Sequence, residues 1–342
     1  MNEPRCRAWT IAALLVALPA ALLIACAVGT VPLPAVGVLR ALAGAAGLGA
    51  PDGGLGDVGQ TILWNVRLPR VILAALVGGG LAVVGAALQS VFRNPMADSG
   101  LLGVGPGAAL GAVLAVHLGW AARVFLALPL SAFVGAMVAT LAVYGLSRLA
   151  GRTTLSGLLL TGLAVSALAS AGTSILLVAS DEFRVKAVLF WLAGGLEGRG
   201  WAHVESAAVL IVLGVLTLMA LSRVLDVLAL GETEAQALGL PVTVARLGIL
   251  AAAAAVAGAA TAAAGSVPFV GLIAAHALRP LVGPRGRHLL PATFLAGALL
   301  VVLADLGART LDLRIELPLG SLTSVVGAPY FLLALRGARE RE

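Results

Sequence analysis

Ionisable side chains that could carry out chemistry are scarce in the apolar segments of this sequence. Those segments contain His276 and Asp305, with Asp98 and Glu205 close to segment ends. Catalysis or metal binding needs several such groups that converge, whereas the sequence has no HExxH pattern, no paired aspartates and no Cys/His metal spacing. Arg309 follows Asp305 by four residues, which favours a local ion pair over a proton relay. Helix packing is the favoured interpretation of His276.

The sequence also lacks the pattern of an ATP-binding loop. Its single lysine, Lys186, does not lie in a GxxxxGK[ST] segment. No basic run is interleaved with aromatic residues, so nucleic acid is not expected as a partner. The sequence therefore predicts a protein that is not an enzyme and has no cofactor of its own. Any ATP and Mg²⁺ would be bound by a separate subunit.

The composition indicates a membrane protein. Of 342 residues, 60% are hydrophobic and 11% are charged, and the mean hydropathy is +1.06, whereas soluble domains carry about 25% charged residues. Nine runs of 17 to 32 residues contain no charged side chain, and a spanning helix needs roughly 18 apolar residues. The run that begins at Leu247 is too long for one span and is expected to break at 265–268, where glycine and proline disfavour a helix. The sequence thus predicts an all-α polytopic membrane protein of about ten transmembrane helices.

Ten spans place both termini on the same side of the membrane. Loops rich in Lys and Arg stay on the cytoplasmic side, and with the N-terminus inside, 13 of the 22 basic residues lie there. We therefore expect cytoplasmic termini, in a chain that forms one transmembrane domain over residues 1–342. The loop 223–246 is then cytoplasmic. Its segment 230–241 has the pattern of a short amphipathic helix ended by glycine, which suits a coupling element and a plain connector equally well.

Eight short sequence features occur in an order that is found in one family of transporters. They are 67–70 (RLPR), Gln89, 93–97 (RNPMA) followed by 102–104 (LGV), 231–241, 269–273 (FVGLI), 289–291 (LLP), 316–320 (ELPLG) and 327–329 (GAP). Together they resemble the permeases of type II ABC importers for iron-siderophores, haem and cobalamin, over about residues 60–336. The resemblance implies the type II ABC importer permease fold in the lipid of a bacterial inner membrane. It also implies a dimer with a second copy or a close relative, two ABC ATPase subunits in the cytoplasm, and a substrate-binding protein outside.

The same resemblance assigns roles to particular residues. Arg67, Arg70 and Arg309 match outer arginines that meet glutamates of the binding protein, although arginines that only snorkel to the membrane interface are an alternative. Leu155 and Ser156, at the start of the fifth span, match an inner gate. Coupling to the ATPase is expected at residues within the loop described above, namely Gly231, Glu232, Glu234, Ala235, Gly239 and Leu240.

The pathway for cargo is expected along the fifth span. Thr161, Ser166 and Ser170 are small or hydroxylic residues in this span, and a surface of this kind lets a bulky polar chelate slide. Close helix packing also uses such residues, so both interpretations stay open. The resemblance is slightly closer to siderophore permeases over 190–201, 271–276 and 327–331. We therefore expect an iron(III)-siderophore as cargo, with haem, cobalamin, or a channel or carrier outside the ABC class as alternatives.

Overall fold

The helices of the chain were located in a computed structural model, which describes residues 3–48, 53–124, 126–149, 155–311 and 316–339. The first eight helices are α1 (Glu3–Ala27), α2 (Ala35–Ala45), α3 (Gly56–Thr61), α4 (Leu68–Phe92), α5 (Val104–His117), α6 (Trp120–Arg123), α7 (Ala127–Leu149) and α8 (Leu155–Val178). The others are α9 (Glu182–Leu192), α10 (Trp201–Ala220), α11 (Ser222–Leu230), α12 (Glu232–Ala237), α13 (Val242–Ala264), α14 (Val270–Val282), α15 (Gly286–Thr310) and α16 (Leu319–Arg339). A π-helical turn (Ile62–Arg67) joins α3 to α4, and a 3₁₀ turn (Ser99–Leu102) precedes α5. These residues contain no strand, so the predicted all-α class is confirmed.

The number of crossings agrees with the expected ten. Seven segments are long and apolar enough to span a membrane, namely α1, the continuous stretch from α3 through α4, α7, α8, α10, α13 and α15. Four shorter apolar helices, α2, α5, α14 and α16, accompany them, so the expected count of about ten is approximately consistent with the structure.

Helix α4 forms the centre of the bundle because it buries nearly all of its faces. Small residues allow the neighbouring backbones to come close to it. Gly78 of α4 meets Gly297 of α15, and Gly85 meets Gly271 of α14. Close contacts between glycines are a common way for membrane helices to pack, since lipid supplies no hydrophobic driving force between them.

The expected break between α13 and α14 is present. Helix α13 ends at Ala264, and Gly265 and Phe269 both have positive φ angles, of 70° and 67°. The amide of Gly195 donates a hydrogen bond of 2.8 Å to the carbonyl of Ala264, which satisfies one of the orphan carbonyls at the helix end. The 13 residues of α14 span only about 20 Å, so this helix is too short to cross the whole hydrocarbon layer alone.

Candidate functional site

The loop 223–246 contains two consecutive short helices, α11 and α12, rather than one. Gly231 separates them, with a φ angle of 138°. The underside of α12 is anchored: Ala235 is fully buried, and Nη2 of Arg246 lies 3.0 Å from Oε2 of Glu232. Glu234 of α12 and Gly239 of the turn after it are exposed to solvent. The loop therefore presents a supported and solvent-exposed surface.

Gly231 and Gly239 shape this surface for different reasons. Gly231 has a φ angle of 138°, which L residues rarely adopt, and an added Cβ atom would also push aside the carboxylate of Glu234, whose Oε2 would lie 2.1 Å away. Gly239 has open space around it but a φ angle of 80°, a value that asparagine tolerates better than alanine. The amide of Leu240 donates to the carbonyl of Ala235 at 3.0 Å, which closes the turn after α12. The coupling role of these residues stays a prediction.

Replacing Glu234 and Gly239 together by alanine is expected to abolish uptake while ATP hydrolysis continues. The double change removes an exposed carboxylate and strains the turn after α12, without touching a membrane span. Reconstituted vesicles would be assayed for uptake and ATPase activity in parallel, with Gly239→Asn as the matched control that keeps the turn. Transport at the normal rate by the double variant would mean that the loop is only a connector.

The arginines expected at the outer rim form an internal cluster. Arg70 binds two carboxylates: its Nη2 lies 2.9 Å from Oδ1 of Asp305 and 2.8 Å from Oε2 of Glu316. Arg309 contributes a third contact, with Nε 3.3 Å from Oδ2 of Asp305. Asp305 is only 2% exposed, and the expected ion pair between Asp305 and Arg309 is present.

Arg67 and Arg309 also bind the outer end of α1. Nη1 of Arg67 donates to the carbonyls of Cys26 and Ala27 at 2.6 and 2.7 Å. Arg309 donates to the carbonyl of Val28 at 3.1 Å. Cations near a helix C-terminus satisfy its free carbonyls and offset the negative end of its dipole. The geometry thus gives all three arginines partners within the chain, and their docking role stays a prediction.

A cavity of about 400 Å³ opens beside this cluster. Arg70, Asp305 and Glu316 line it together with Glu197 and Arg199 from the connection between α9 and α10. Burial lowers the pKa of the Arg199 guanidinium. The sequence interpretation missed Glu197 and Arg199 at this site, although both lie in the segment 190–201 that was singled out for another reason.

Helix α8 is the least buried of the seven long spans. The Thr161 hydroxyl donates to the carbonyl of Gly157 at 2.8 Å, as expected for a hydroxyl that satisfies itself on the preceding turn. Ser166 packs near Gly103, while Ser170 is exposed. Of the two gate residues, Leu155 begins the helix, and the side chains of Leu155 and Ser156 lie outside the described part of the chain.

The sequence of the chain matches the FecCD transport family over residues 15–337. The chain belongs to this family. It is 42% identical over 288 residues to the cobalamin import system permease protein BtuC of Halobacterium salinarum, covering 84% of this chain and 77% of that protein. It is 40% identical over 274 residues to the Fe(3+) dicitrate transport system permease protein FecD of Escherichia coli, with 80% and 85% covered.

A solved structure agrees with this assignment. It is described as an inward-facing conformation of a transporter assigned to the metal-chelate type of ABC transporters. The TM-score is 0.84 at 31% sequence identity, over 96% of this chain and 98% of that chain. This FecCD protein is therefore the permease of an ABC importer, a transport subunit whose ATPase is a separate chain and which works with a binding protein. A channel or carrier outside the ABC class is excluded.

Proposed function

We propose that this FecCD protein carries an iron(III)-siderophore into the cell. The observation that carries the proposal is the exposed face of α8, which presents Ser170 and Ser174 beside aliphatic side chains such as Leu168 and contains no charged side chain. Such a surface offers a bulky polar chelate few fixed partners, so the chelate is not held on its way. The segments 190–201, 271–276 and 327–331, which resemble siderophore permeases, favour this cargo over cobalamin.

The proposal extends to the assembly. The chain would form one permease domain over residues 1–342, with both termini in the cytoplasm of a bacterial inner membrane. Two permeases would meet along α8, because this span has the largest share of unburied residues among the long helices. Leu155 and Ser156 would form the inner gate, and Thr161, Ser166 and Ser170 would line the pathway. ATP and Mg²⁺ would bind to the ATPase alone.

Haem is the second candidate cargo because of one ring contact. The rings of His276 in α14 and Tyr330 in α16 lie edge to face, with centroids 6.0 Å apart. Imidazole and phenol groups both serve as ligands of haem iron. A pair of this kind, on two helices of one chain, could hold haem transiently.

The cargo is tested by substrate-stimulated ATPase activity in reconstituted complexes. We expect stimulation by ferric siderophore loaded on the binding protein, and none by haem or cobalamin. The double variant His276→Ala, Tyr330→Phe should keep this stimulation. Stimulation by haem that the double variant loses would assign the protein to haem instead, and a response to cobalamin alone would contradict both proposals.

A further inference from the structure

A cavity of about 500 Å³ lies where the N-terminal part of α1 packs against the connection between α14 and α15. Its walls come from Cys6 and Arg7 of α1, from the segment 280–285, and from His288 in the first turn of α15. In the proposed topology this is the cytoplasmic edge of the bilayer. Neither the coupling surface nor the outer cluster includes any of these residues.

The cavity is strongly basic. Arg7 and Arg285 line it, and the charge of Arg287 also acts on His288. Within the described residues, none of these three arginines forms an ion pair with an acid. The only acid that acts on His288 is Asp226, and its Oδ1 accepts a hydrogen bond of 2.6 Å from the amide of Gly286.

One ring nitrogen of His288 also lacks a hydrogen-bond partner. Its Nε2 atom is buried and has no hydrogen-bond partner in the structure. The N-terminus of α15, a helix of 25 residues, lies at the same place. The amide of Gly286 there is already bound by Asp226, and those of His288 and Leu289 bond to the carbonyl of Arg285. The preference for an anion therefore comes from the arginines. The geometry therefore combines a cavity, the guanidinium groups of Arg7 and Arg285 in its lining, and an unpartnered imidazole nitrogen.

An apolar cluster lies next to the basic residues. Leu278, Val282, Leu289 and Ala292 form a small buried cluster that packs against Ile11 and Leu14 of α1. At the rim of the cavity Leu281 is 43% exposed, and on the opposite face of α1 Trp9, two residues after Arg7, is 77% exposed. A ligand bound here would thus have its charged end among arginines and its apolar end at the rim beside Leu281.

We propose that this cavity binds the phosphate headgroup of an anionic phospholipid from the cytoplasmic leaflet. The acyl chains would leave the cavity past Leu281 into the surrounding lipid. Basic pockets between helices on the cytoplasmic side are suited to such headgroups, and each arginine near the membrane surface strengthens the attraction. The placement in the cytoplasmic leaflet rests on the proposed topology, whereas the binding itself does not.

Trp9 provides a local probe for the site. The difference between the wild type and Trp9→Phe isolates the signal of Trp9 from that of the other four tryptophans, which are Trp64, Trp120, Trp191 and Trp201. The full chain would be placed in phosphatidylcholine vesicles with increasing amounts of brominated phosphatidylglycerol or brominated phosphatidylcholine. We expect brominated phosphatidylglycerol to quench Trp9 at a lower content in the vesicles than brominated phosphatidylcholine does.

The double variant Arg7→Gln, Arg285→Gln should lower this preference by about thirtyfold, from the loss of two surface charges. The matched control Arg148→Gln, Arg223→Gln removes two exposed charges elsewhere on the same side and should keep it. Equal quenching of the wild type by the two lipids would overturn the proposal, even if the double variant failed to fold. Loss of the preference on addition of inorganic phosphate would assign the cavity to a soluble phosphate ligand and also overturn it. Because both leaflets of the vesicles contain the brominated lipid, a wrong topology would not change these outcomes.

Discussion

Replacing Gly85 by leucine is expected to prevent the FecCD protein from folding stably. A Cβ atom at position 85 would lie 2.4 Å from Cα, 2.5 Å from C and 2.6 Å from O of Gly271. All three are backbone atoms of α14, so the new side chain cannot be accommodated by a rotamer change. Overpacking of a core typically costs about 1–3 kcal/mol of stability. A side chain that clashes with the backbone of a neighbouring helix is expected at or above the upper end of that range.

The measurement is the yield of monodisperse protein in detergent and its thermal unfolding midpoint. Gly145→Leu is the matched control, since a Cβ atom at Gly145 would meet no atom within 4 Å. We expect the control to unfold like the wild type and Gly85→Leu to be recovered mostly as aggregate. An unchanged midpoint for Gly85→Leu would show that α14 can move away from α4.

The sequence predicted the membrane class and the helices well because their signal is local. Uncharged runs have the length that a bilayer demands, and the break near Gly265 follows from the conformational limits of glycine and proline. The split of the loop 223–246 into α11 and α12 was less visible, since the expected helix 230–241 included Gly231, the glycine that separates them. Gly231 adopts a φ angle of 138° that ends one helix and starts the next.

The partners of the outer arginines could be predicted only in part. The pair of Asp305 and Arg309 is four residues apart on one helix, so spacing alone was enough to expect it. Arg70 meets Asp305 and Glu316 across more than two hundred residues of sequence, and no local pattern encodes that contact. The carbonyl partners of Arg67 are backbone atoms, which carry no side-chain signal at all.

Substitution of Arg70 by methionine is expected to destabilise the protein by about 3–5 kcal/mol, the usual cost of breaking a buried ion pair from one side. Asp305 would keep only its contact of 3.3 Å with Arg309. The double variant Arg70→Met, Asp305→Leu should recover part of the loss, because it no longer leaves a buried carboxylate short of partners. A lysine at position 70 would not substitute fully, since Arg70 uses its planar fork on two carboxylates at once.

This series also separates the structural role of Arg70 from the predicted docking role. If Arg70 mainly stabilises the bundle, Arg70→Met lowers the free energy of unfolding, and the double variant regains stability together with capture of the binding protein. If Arg70 mainly docks the binding protein, Arg70→Met unfolds like the wild type but binds that protein more weakly, most clearly at low salt, where screening is least. Arg40→Met, which removes an exposed arginine of α2, is the control for loss of charge alone. Arg70 is mostly buried, and all three nitrogens of its guanidinium group already contact two carboxylates. We therefore expect that Arg70 mainly stabilises the bundle.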